Sequence, residues 1–321
     1  MMMAKKCDAN VLTVDSETDF KTNDANSYNA VVDYFDKYTE RFTRHMPGPM
    51  LELASVPDNA RVLDVGTGTG VVALNIVEGI GAKGKVVGID LSDGMLSTAT
   101  AKAQQRRLSG HVEFLKMDAE NLDFPDSHFD AAFSLYALRH FPNPEKSVAE
   151  IYRVLKPGSS IVVAVGSRPD LVSVEGMKAT LRRLGSMRYR LLRKELRACE
   201  FIDSLVEKYI PEGADRDVTE WVGERHGFSG SVEQLIREAG FTDVQASWKG
   251  QYSRIESPED FWLLQMTFSS KARKRIAQAD DKLVNKLKSE FFRRCETVIR
   301  KKGRLVYQTG AAIISAKKTA H

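Results

Sequence analysis

Short runs of apolar residues alternate with stretches of helical periodicity through the middle of the chain. The runs have the length of β-strands and are rich in valine and isoleucine; they cover residues 62–65, 85–89, 112–115, 130–135 and 160–165. Continuous apolar runs separated by helical stretches are typical of a parallel sheet that helices cover on both faces. The pattern therefore predicts an α/β fold.

Start signals frame several of the intervening helices. Ser92 and Asn143 each precede a helical stretch, and Ser231 and Ser257 stand at the starts of two more. Ser and Asn side chains accept hydrogen bonds from the free N–H groups of a first helical turn, which favours helix initiation at these positions. Further apolar runs predict strands at 242–248 and 305–315.

The chain divides by composition into a tail, a core and two helical insertions. The first 26 residues are polar, which predicts a flexible tail, and residues 27–321 are expected to form a single domain. Residues 60–166 carry the strand rhythm and form the expected cofactor-binding core. Helical stretches at 167–230 and 256–302 interrupt the later part of the chain. We expect both insertions to form a cap over the substrate.

Composition narrows the classes of function. The chain has 321 residues, 42% of them hydrophobic, and a formal net charge of +4, which is too weak an excess to indicate nucleic-acid binding. Its three cysteines lie about a hundred or more residues apart without histidines at ligand spacing, so we expect no metal site and a reducing, cytoplasmic compartment. No apolar stretch approaches the roughly 20 residues that span a bilayer, so any membrane contact is expected to be peripheral.

A glycine-rich turn follows the first predicted strand. The strand carries Asp64 near its end, and Gly66, Gly68 and Gly70 alternate with threonines before a helical stretch begins near Val71. Glycine tolerates positive φ angles and leaves room for a ligand against the main chain, while the N–H groups of the following helix favour an anionic group. By itself the turn is compatible with a dinucleotide, a phosphate or no ligand at all.

Two later carboxylates indicate a nucleoside. Asp90 ends the second strand, twenty residues after Gly70, where a carboxylate can accept hydrogen bonds from both ribose hydroxyls. Asp118 follows the third strand beside the same crevice and can accept from an adenine amino group. A nicotinamide dinucleotide is the alternative, but its fingerprint requires Gly or Ala where Val71 stands. Asp64 also suits a ligand that carries an ammonium and a sulfonium better than a pyrophosphate.

These motifs resemble those of the class I S-adenosylmethionine-dependent methyltransferases, most closely the ubiquinone and menaquinone C-methyltransferases. The segments that carry the resemblance are 62–70, 88–92, 118–122, 127–130 and 153–158. The resemblance implies a Rossmann-like, seven-stranded, mainly parallel sheet with an antiparallel last strand. It also implies S-adenosylmethionine as the cofactor. Beyond residue 166 the resemblance becomes diffuse.

The resemblance further implies roles for individual residues. The methionine portion of the cofactor would be held by Asp64, Gly66, Thr67, Gly68 and Gly70. The ribose would be bound by Asp90, and the adenine would lie against Leu91 or Met95, Asp118 and Ala119, with Ser134 at the edge of the fourth strand.

His140 is the candidate catalytic residue. It follows the fourth strand, at the rim where acceptors enter in the resembled family. Methyl transfer is an in-line displacement that depends mainly on positioning, but a phenol or amine acceptor has to lose a proton, which a histidine can take up. The alternative is that His140 only shapes the pocket. We interpret Tyr136, Phe35 and Tyr38 as lid or packing residues and His226 as a solvated side chain.

The first insertion is strongly basic. Residues 171–200 carry eight lysines and arginines against three glutamates, a local charge of +5, and apolar residues from Leu184 to Leu205 recur at helical spacing. A basic amphipathic helix favours an anionic membrane surface or an acidic substrate. A merely solvated basic face is the alternative.

The sequence thus leads to one primary hypothesis, which is methyl transfer from S-adenosylmethionine to O, N or C of a small organic acceptor. One alternative is a quinone or prenyl-lipid C-methyltransferase that works at a membrane surface. Another is a regulatory protein that binds S-adenosylmethionine without transferase activity. The expected partner is the small-molecule acceptor, no nucleic acid is expected, and the sequence favours no particular oligomeric state.

Overall fold

The computed structural model describes residues 14–167, 174–192, 194–210 and 231–320. The helices are α1 (Val14–Asn29), α2 (Val32–Phe42), α3 (Pro47–Ala54), α4 (Ala73–Ile76), α5 (Asp93–Gln105), α6 (Pro144–Val154), α7 (Val174–Leu191), α8 (Glu200–Tyr209), α9 (Val232–Glu238), α10 (Pro258–Phe268), α11 (Ser270–Gln278) and α12 (Asp281–Arg300). The strands are β1 (Arg61–Val65), β2 (Lys85–Asp90), β3 (Val112–Lys116), β4 (Phe129–Leu135), β5 (Leu155–Gly166), β6 (Glu195–Arg197), β7 (Phe241–Ile255) and β8 (Arg304–Lys318).

The strands form one mixed sheet in the order β3-β2-β1-β4-β5-β8. Neighbouring strands are parallel from β3 to β5, whereas β8 runs antiparallel to β5 on one side and to β7 on the other. The apolar runs of β1, β2, β4 and β5 are almost entirely buried, whereas residues 156–159 at the beginning of β5 are partly exposed. The predicted Rossmann-like α/β fold with an antiparallel last strand is confirmed.

One short strand lies inside the first predicted helical insertion. Strand β6 pairs in parallel with the beginning of β8, where Glu195 lies opposite Arg304, so the described residues form a sheet of eight strands rather than the predicted seven. The buried Glu195 carboxylate accepts hydrogen bonds from Arg197 at 2.9 Å and from Arg304 at 2.8 Å. Charged residues of this kind are rare in buried strands unless they are paired, which is why the sequence pattern did not predict this one.

The predicted helix starts are confirmed by their caps. The side chain of Ser92 accepts a hydrogen bond from the N–H of Met95, and Asn143, Ser231 and Ser257 cap α6, α9 and α10 in the same way. Two hydrophobic clusters result, one on each face of the sheet.

A third hydrophobic cluster joins the two insertions to the N-terminal region. It is rich in aromatic residues and contains Tyr38, Phe42, Phe201, Phe261, Phe291 and Cys295. The apolar face that the sequence predicted from Leu184 to Leu205 is divided, because α7 ends at Leu191 and α8 begins at Glu200. Leu184 is exposed, whereas Leu205 is buried in the third cluster.

The second half of the predicted flexible tail is helical. Residues 14–26 belong to helix α1, which packs against α5 and α11. Its described contacts are largely polar: Lys21 bonds to Asp118, and Asp24 bonds to Lys274. A helix that is held by ion pairs has no apolar periodicity, so its polar composition resembled that of a tail. Residues 1–13 and His226 lie outside the described residues.

Candidate functional site

A cavity of about 590 Å³, here called the main cavity, lies at the carboxyl ends of β1, β2, β4 and β5. In open α/β sheets this edge is where ligands bind. Of the residues predicted from the sequence, those that line the cavity are Gly66, Thr67, Gly68, Asp90, Leu91, Met95, Asp118, Ala119 and His140. Asp64, Gly70 and Ser134 do not line it. The fold therefore brings most, but not all, of the predicted residues to one space.

The glycine-rich turn forms the floor of the main cavity. Gly66, Gly68 and Gly70 adopt φ angles of +70°, +53° and +80°, which side chains rarely tolerate. A Cβ atom at position 66 would overlap the side chain of Ala137 in the loop after β4. Gly66 is therefore required for the close approach of the two loops that flank the cavity.

Asp90 holds this turn to the end of β2. One of its carboxylate oxygens accepts a hydrogen bond from the N–H of Gly68 at 2.9 Å, and the other accepts from the N–H of Ser92 at 2.9 Å. Burial raises the pKa of Asp90, and the hydrogen bonds from Ser92 and Gly68 oppose that effect. Asp90 thus lines the cavity and also orders the loop beneath it.

Asp64 lies below the floor rather than in the cavity. Its Oδ2 atom accepts from the hydroxyl of Thr67 at 2.6 Å and from the N–H of Ala73 at 3.1 Å. Its Oδ1 atom is buried and has no hydrogen-bond partner among the described residues. Burial raises the pKa of Asp64 to about 7, although the bond from Thr67 lowers it. A positive charge nearby would stabilise the ionised form of this carboxyl group and lower its pKa.

Two carboxylates on the far side of the cavity meet a lysine from α1. Lys21 Nζ lies 2.7 Å from Asp118 Oδ2 and 2.8 Å from Glu120 Oε2. Burial lowers the pKa of Lys21, but the hydrogen bonds that Lys21 donates to Asp118 and Glu120 outweigh this effect and leave the pKa above its ordinary value. The predicted adenine-binding carboxylate therefore also fastens the N-terminal helix.

His140 lies under α1 at the rim of the cavity. The hydroxyl of Tyr28 is 3.5 Å from each ring nitrogen, and Asp24 Oδ2 is 3.9 Å from Nδ1. Burial lowers the pKa of His140, while the Asp24 carboxylate raises it and Lys274 lowers it further; the net direction is down. The imidazole is therefore neutral near pH 7 and can accept a proton.

Sequence reasoning missed the residues that α1 contributes to the cavity, which are Phe20, Lys21, Asp24, Ala25 and Tyr28. We call α1 and its anchors on α11 the roof. Lys274 Nζ lies 2.7 Å from Asp24, and the Arg273 guanidinium bonds to Ser27 at 3.1 Å. That guanidinium also lies 4.7 Å from the centre of the Tyr28 ring. The one sequence feature that could have indicated this role is the presence of isolated aromatic residues, such as Phe20 and Tyr28, in an otherwise polar segment.

Residues 63–163 match the methyltransferase-domain family. The ubiquinone/menaquinone biosynthesis C-methyltransferase UbiE of Pseudomonas putida (strain GB-1) is 36% identical over 119 residues, which is 37% of this chain and 46% of that protein. The corresponding protein of Azotobacter vinelandii is 37% identical over 120 residues, 37% of this chain and 47% of that one. The chain thus matches about half the length of these curated relatives.

The cavity residues from Gly66 to His140 lie within the matched segment. Residues 63–163 form a class I S-adenosylmethionine-dependent methyltransferase domain. The fold around this domain also resembles the YcgJ protein of Bacillus subtilis, with a TM-score of 0.51 and 20% identity over 86% of this chain and 98% of that one. At this identity the likeness concerns the fold alone.

The cavity of the methyltransferase domain fits its cofactor chemically. Asp90, Asp118 and Glu120 line it, and the unpartnered Oδ1 of Asp64 lies below its floor. Carboxylates suit a ligand whose ammonium and sulfonium are cationic, and Asp90 offers acceptors for ribose hydroxyls. Ser134 remains buried beneath this floor, and its hydroxyl has no partner among the described residues.

Within residues 14–167, 174–192, 194–210 and 231–320, no cluster of histidine, cysteine and carboxylate side chains has the geometry to hold a metal ion. In the same ranges, no helix combines the length and the apolar character needed to cross a membrane.

Proposed function

We propose that this protein transfers a methyl group from S-adenosylmethionine to O, N or C of a small organic acceptor. The observation that carries the proposal is that Asp90, Asp118 and His140 line one cavity. Methyl transfer is an in-line displacement, so the cofactor and the acceptor have to meet in one space that excludes water. When bound, S-adenosylmethionine supplies the electrophilic methyl group.

His140 is the proposed proton acceptor. Its lowered pKa keeps the imidazole neutral near pH 7, so a ring nitrogen can take a proton from a phenol or an amine. The carboxylate of Asp24, 3.9 Å from Nδ1, stabilises the imidazolium that forms. The edge of the Tyr28 ring packs against the imidazole at a centroid distance of 5.8 Å and restricts its rotation.

Aromatic side chains of the main cavity support an acceptor chamber. Phe35 of α2, Phe268 of α10 and Tyr307 of β8 line the cavity, and the rings of Phe268 and Tyr307 stack at 5.4 Å. Aromatic faces favour planar or apolar ligands. We therefore propose that the insertions at 167–230 and 256–302, together with α1, cap the acceptor within one domain.

A labelling experiment tests this proposal. The protein is incubated with methyl-labelled S-adenosylmethionine and fractionated metabolite extracts, and labelled products are identified by mass spectrometry. We expect label in a small organic product, and His140→Ala protein serves as the matched sample with reduced turnover. Tight cofactor binding without label in any fraction would instead favour a regulatory protein that binds S-adenosylmethionine. Tighter binding of NAD than of S-adenosylhomocysteine would contradict the assignment of S-adenosylmethionine as the cofactor.

A quinone or prenyl-lipid C-methyltransferase that works at an anionic membrane surface is the second candidate. The similarity to the curated C-methyltransferases supports methyl transfer to carbon, and the surface of α7 supports a location at a membrane. The helix turns small residues, Gly176, Ala179 and Ser186, toward the protein, whereas its large apolar side chains are exposed. The exposed side chains are Val174, Met177, Leu181, Leu184 and Met187.

Exposed Lys178 and Arg182 lie on the same helix and complement anionic headgroups. The odd number of widely spaced cysteines supports a cytoplasmic location for this activity.

Vesicle binding tests the second candidate. We expect the protein to float with vesicles that contain phosphatidylglycerol but not with pure phosphatidylcholine vesicles. Leu181→Glu should abolish flotation, because it places a charge in the centre of the apolar face, whereas Ile299→Glu, at another exposed apolar position, should not. Equal flotation of both variants would remove α7 from the membrane contact.

A further inference from the structure

Helix α11 contacts the two residues of α1 that lie beside His140. On α1, Asp24 and Tyr28 are one helical turn apart and therefore share a face. Asp24 Oδ2 is 3.9 Å from His140 Nδ1, and the Tyr28 hydroxyl is 3.5 Å from each ring nitrogen. Lys274 of α11 bonds to Asp24. The residue before it, Arg273, lies against the ring of Tyr28. The surroundings of the proposed base are thus held from α11.

Arg273 is a buried cation that has no carboxylate partner among the described residues. It is 6% exposed. Its Nη1 atom donates to the carbonyl oxygens of Thr267 at 2.7 Å and Met266 at 3.2 Å, and Nη2 donates to the hydroxyl of Ser27 at 3.1 Å. Its Nε atom is buried without a partner in this part of the chain. Carbonyl and hydroxyl groups offset only part of the cost of burying a charge, so stability alone is a weak reason for an arginine here.

The guanidinium of Arg273 connects three helices. Met266 and Thr267 belong to the last turn of α10, where carbonyl groups lack partners within the helix, so Nη1 caps that helix. A cap alone would need no contact with α1. Nη2 nevertheless bonds to Ser27 of α1, and Cζ lies 4.7 Å from the centre of the neighbouring Tyr28 ring. Arg273 therefore holds α1 against the ends of α10 and α11.

Tyr28 is the part of this assembly that reaches the main cavity. Its ring meets Phe35 edge to face at a centroid distance of 5.7 Å and meets His140 in the same way at 5.8 Å. Tyr28, Phe35 and His140 line the cavity, whereas Arg273 does not. Arg273 therefore acts on the contents of the cavity through Tyr28 rather than by direct contact.

The charges around His140 are not evenly balanced. Asp24 and the uncharged Tyr28 face it from α1, and Arg273 and Lys274 lie behind them on α11. Lys274 is neutralised by Asp24 at 2.7 Å. Burial lowers the pKa of His140, Asp24 raises it, and Lys274 and Arg273 lower it. Removing the charge of Arg273 should therefore raise that pKa, which gives the arrangement a measurable signature.

We propose that Arg273 is a positioning residue, which holds Tyr28 against His140 and so fixes the orientation of the imidazole that accepts the proton. A guanidinium suits this task because its flat face stacks on a ring while its N–H groups bond to carbonyl and hydroxyl oxygens in the same plane. A lysine ammonium cannot do both. The proposal rests on the proposed function, since the residue that is positioned is the proposed proton acceptor of that reaction.

A pH titration of the whole protein by NMR, with isotope-labelled histidine and tyrosine rings, tests the proposal. His140→Ala identifies the His140 signal among the six histidines. In Arg273→Gln protein we expect a raised pKa of His140 and a weaker nuclear Overhauser contact between the Tyr28 and His140 rings. Arg273→Lys should retain the low pKa, because the charge remains, but should also weaken the contact. Lys271→Gln, which removes a pair with Glu207 on the same helix, should match the wild type in both respects.

Methyl transfer provides the second measurement. The rate at which label enters the product is compared at saturating S-adenosylmethionine, so that differences in cofactor affinity do not contribute. We expect both Arg273 variants to lose roughly tenfold or more, because a small misplacement of a catalytic group has a large effect on rate. The Lys271→Gln variant should retain the wild-type rate.

Two results would overturn the proposal. One is an Arg273→Gln protein of lowered thermal stability whose His140 titration, ring contact and rate are all normal, which would reduce Arg273 to a helix cap. The other is a wild-type rate in Arg273→Lys protein, which would show that a positive charge suffices without the planar group. The lysine variant also decides the question if Arg273→Gln does not fold.

Failure of the proposed function gives a different pattern. Wild-type protein would then fail to bind S-adenosylhomocysteine or to label any product. A wild type that transfers label and loses it in His140→Ala, but not in the Arg273 variants, would reject the positioning role alone.

Discussion

The strand side and the roof of the main cavity are built on different principles. The strand side consists of loops that follow β1, β2 and β4, all within the matched residues 63–163, and main-chain groups such as the Gly68 N–H shape it. The roof is a helix that long side chains hold from elements far away in sequence, as in the pair Asp24 and Lys274. Sheet pairing and main-chain hydrogen bonds position the strand side, whereas side-chain contacts such as this ion pair position the roof.

This difference has an energetic consequence. The conformation of the strand-side loops is set by the parallel sheet and by glycines with positive φ angles. Changing a residue of these loops disturbs that conformation, so cofactor binding or turnover should fall steeply. Changing a roof residue removes one partly buried ion pair, which contributes about 1 kcal/mol or less when it is near the surface. We therefore expect strand-side variants to show the larger effects.

His140→Ala should have the largest effect. If the imidazole accepts the proton, turnover should fall by roughly 100-fold or more, with little change in cofactor affinity. Steady-state kinetics with the identified acceptor would measure it. His128→Ala is the control, because His128 packs on Phe124 outside the cavity. A raised KM at normal kcat would assign His140 a binding role instead.

Asp90→Ala should weaken S-adenosylhomocysteine binding by about ten- to a hundredfold, the usual worth of a charge-assisted hydrogen bond of roughly 1.5 to 3 kcal/mol. The variant loses a ribose acceptor and also releases the N–H of Gly68. Calorimetry measures the affinity. Asp93→Ala is the control. It removes an exposed carboxylate at the start of α5 that is paired with Lys116 of β3, and it should leave the affinity unchanged. Normal affinity of folded Asp90→Ala protein would remove Asp90 from the site.

Cofactor affinity should depend on pH through Asp64. With a pKa of about 7, this carboxyl group is largely protonated at pH 6, and the ammonium of S-adenosylhomocysteine favours the ionised form. Binding should therefore release a proton below pH 7, and affinity should rise by up to about tenfold between pH 6 and pH 8 before it levels off.

Calorimetry in buffers of different ionisation enthalpy measures the released proton. Asp64→Asn should abolish the pH dependence. His140→Ala should retain it, which separates Asp64 from the imidazole. A pH-independent affinity in the wild type would show that Asp64 does not sense the cofactor.

Lys274→Ala should have the smallest effect, because it breaks one partly buried pair with Asp24. We expect cofactor affinity to fall by about fivefold, since an ion pair of roughly 1 kcal/mol holds the roof closed. Lys271→Ala on the same helix removes a pair with Glu207 instead and should not affect affinity. An equal loss in both variants would show that α11 stability, rather than the roof, controls binding.

The two sides of the cavity also differed in how far the sequence could predict them. Asp90 ends β2 and Asp118 follows β3, so the parallel pairing of these strands alone brings both to one edge. Lys21 and Tyr28 belong to helix α1, which has no apolar periodicity. The position of this helix over the cavity depends on tertiary contacts such as the pairing of Lys21 with Asp118, which the sequence pattern does not reveal. Strand β6 was missed for a similar reason, since the buried charge of Glu195 depends in part on Arg304, which lies 109 residues later in the chain.

The anchoring of α1 on α11 has a consequence for synthesis of the chain. Asp24 and Lys274 are 250 residues apart, so α1 leaves the ribosome long before its anchor exists. At about 5 to 20 residues per second, this interval lasts roughly 10 to 50 s, during which the helix can use contacts with earlier elements, such as that of Lys21 with Asp118 and that of Asn29 with Ser92. The glycine-rich turn and the carboxylates are complete early in that interval. A nascent chain thus acquires the means to bind its cofactor before it can enclose it, and enclosure becomes one of the last events in its biogenesis.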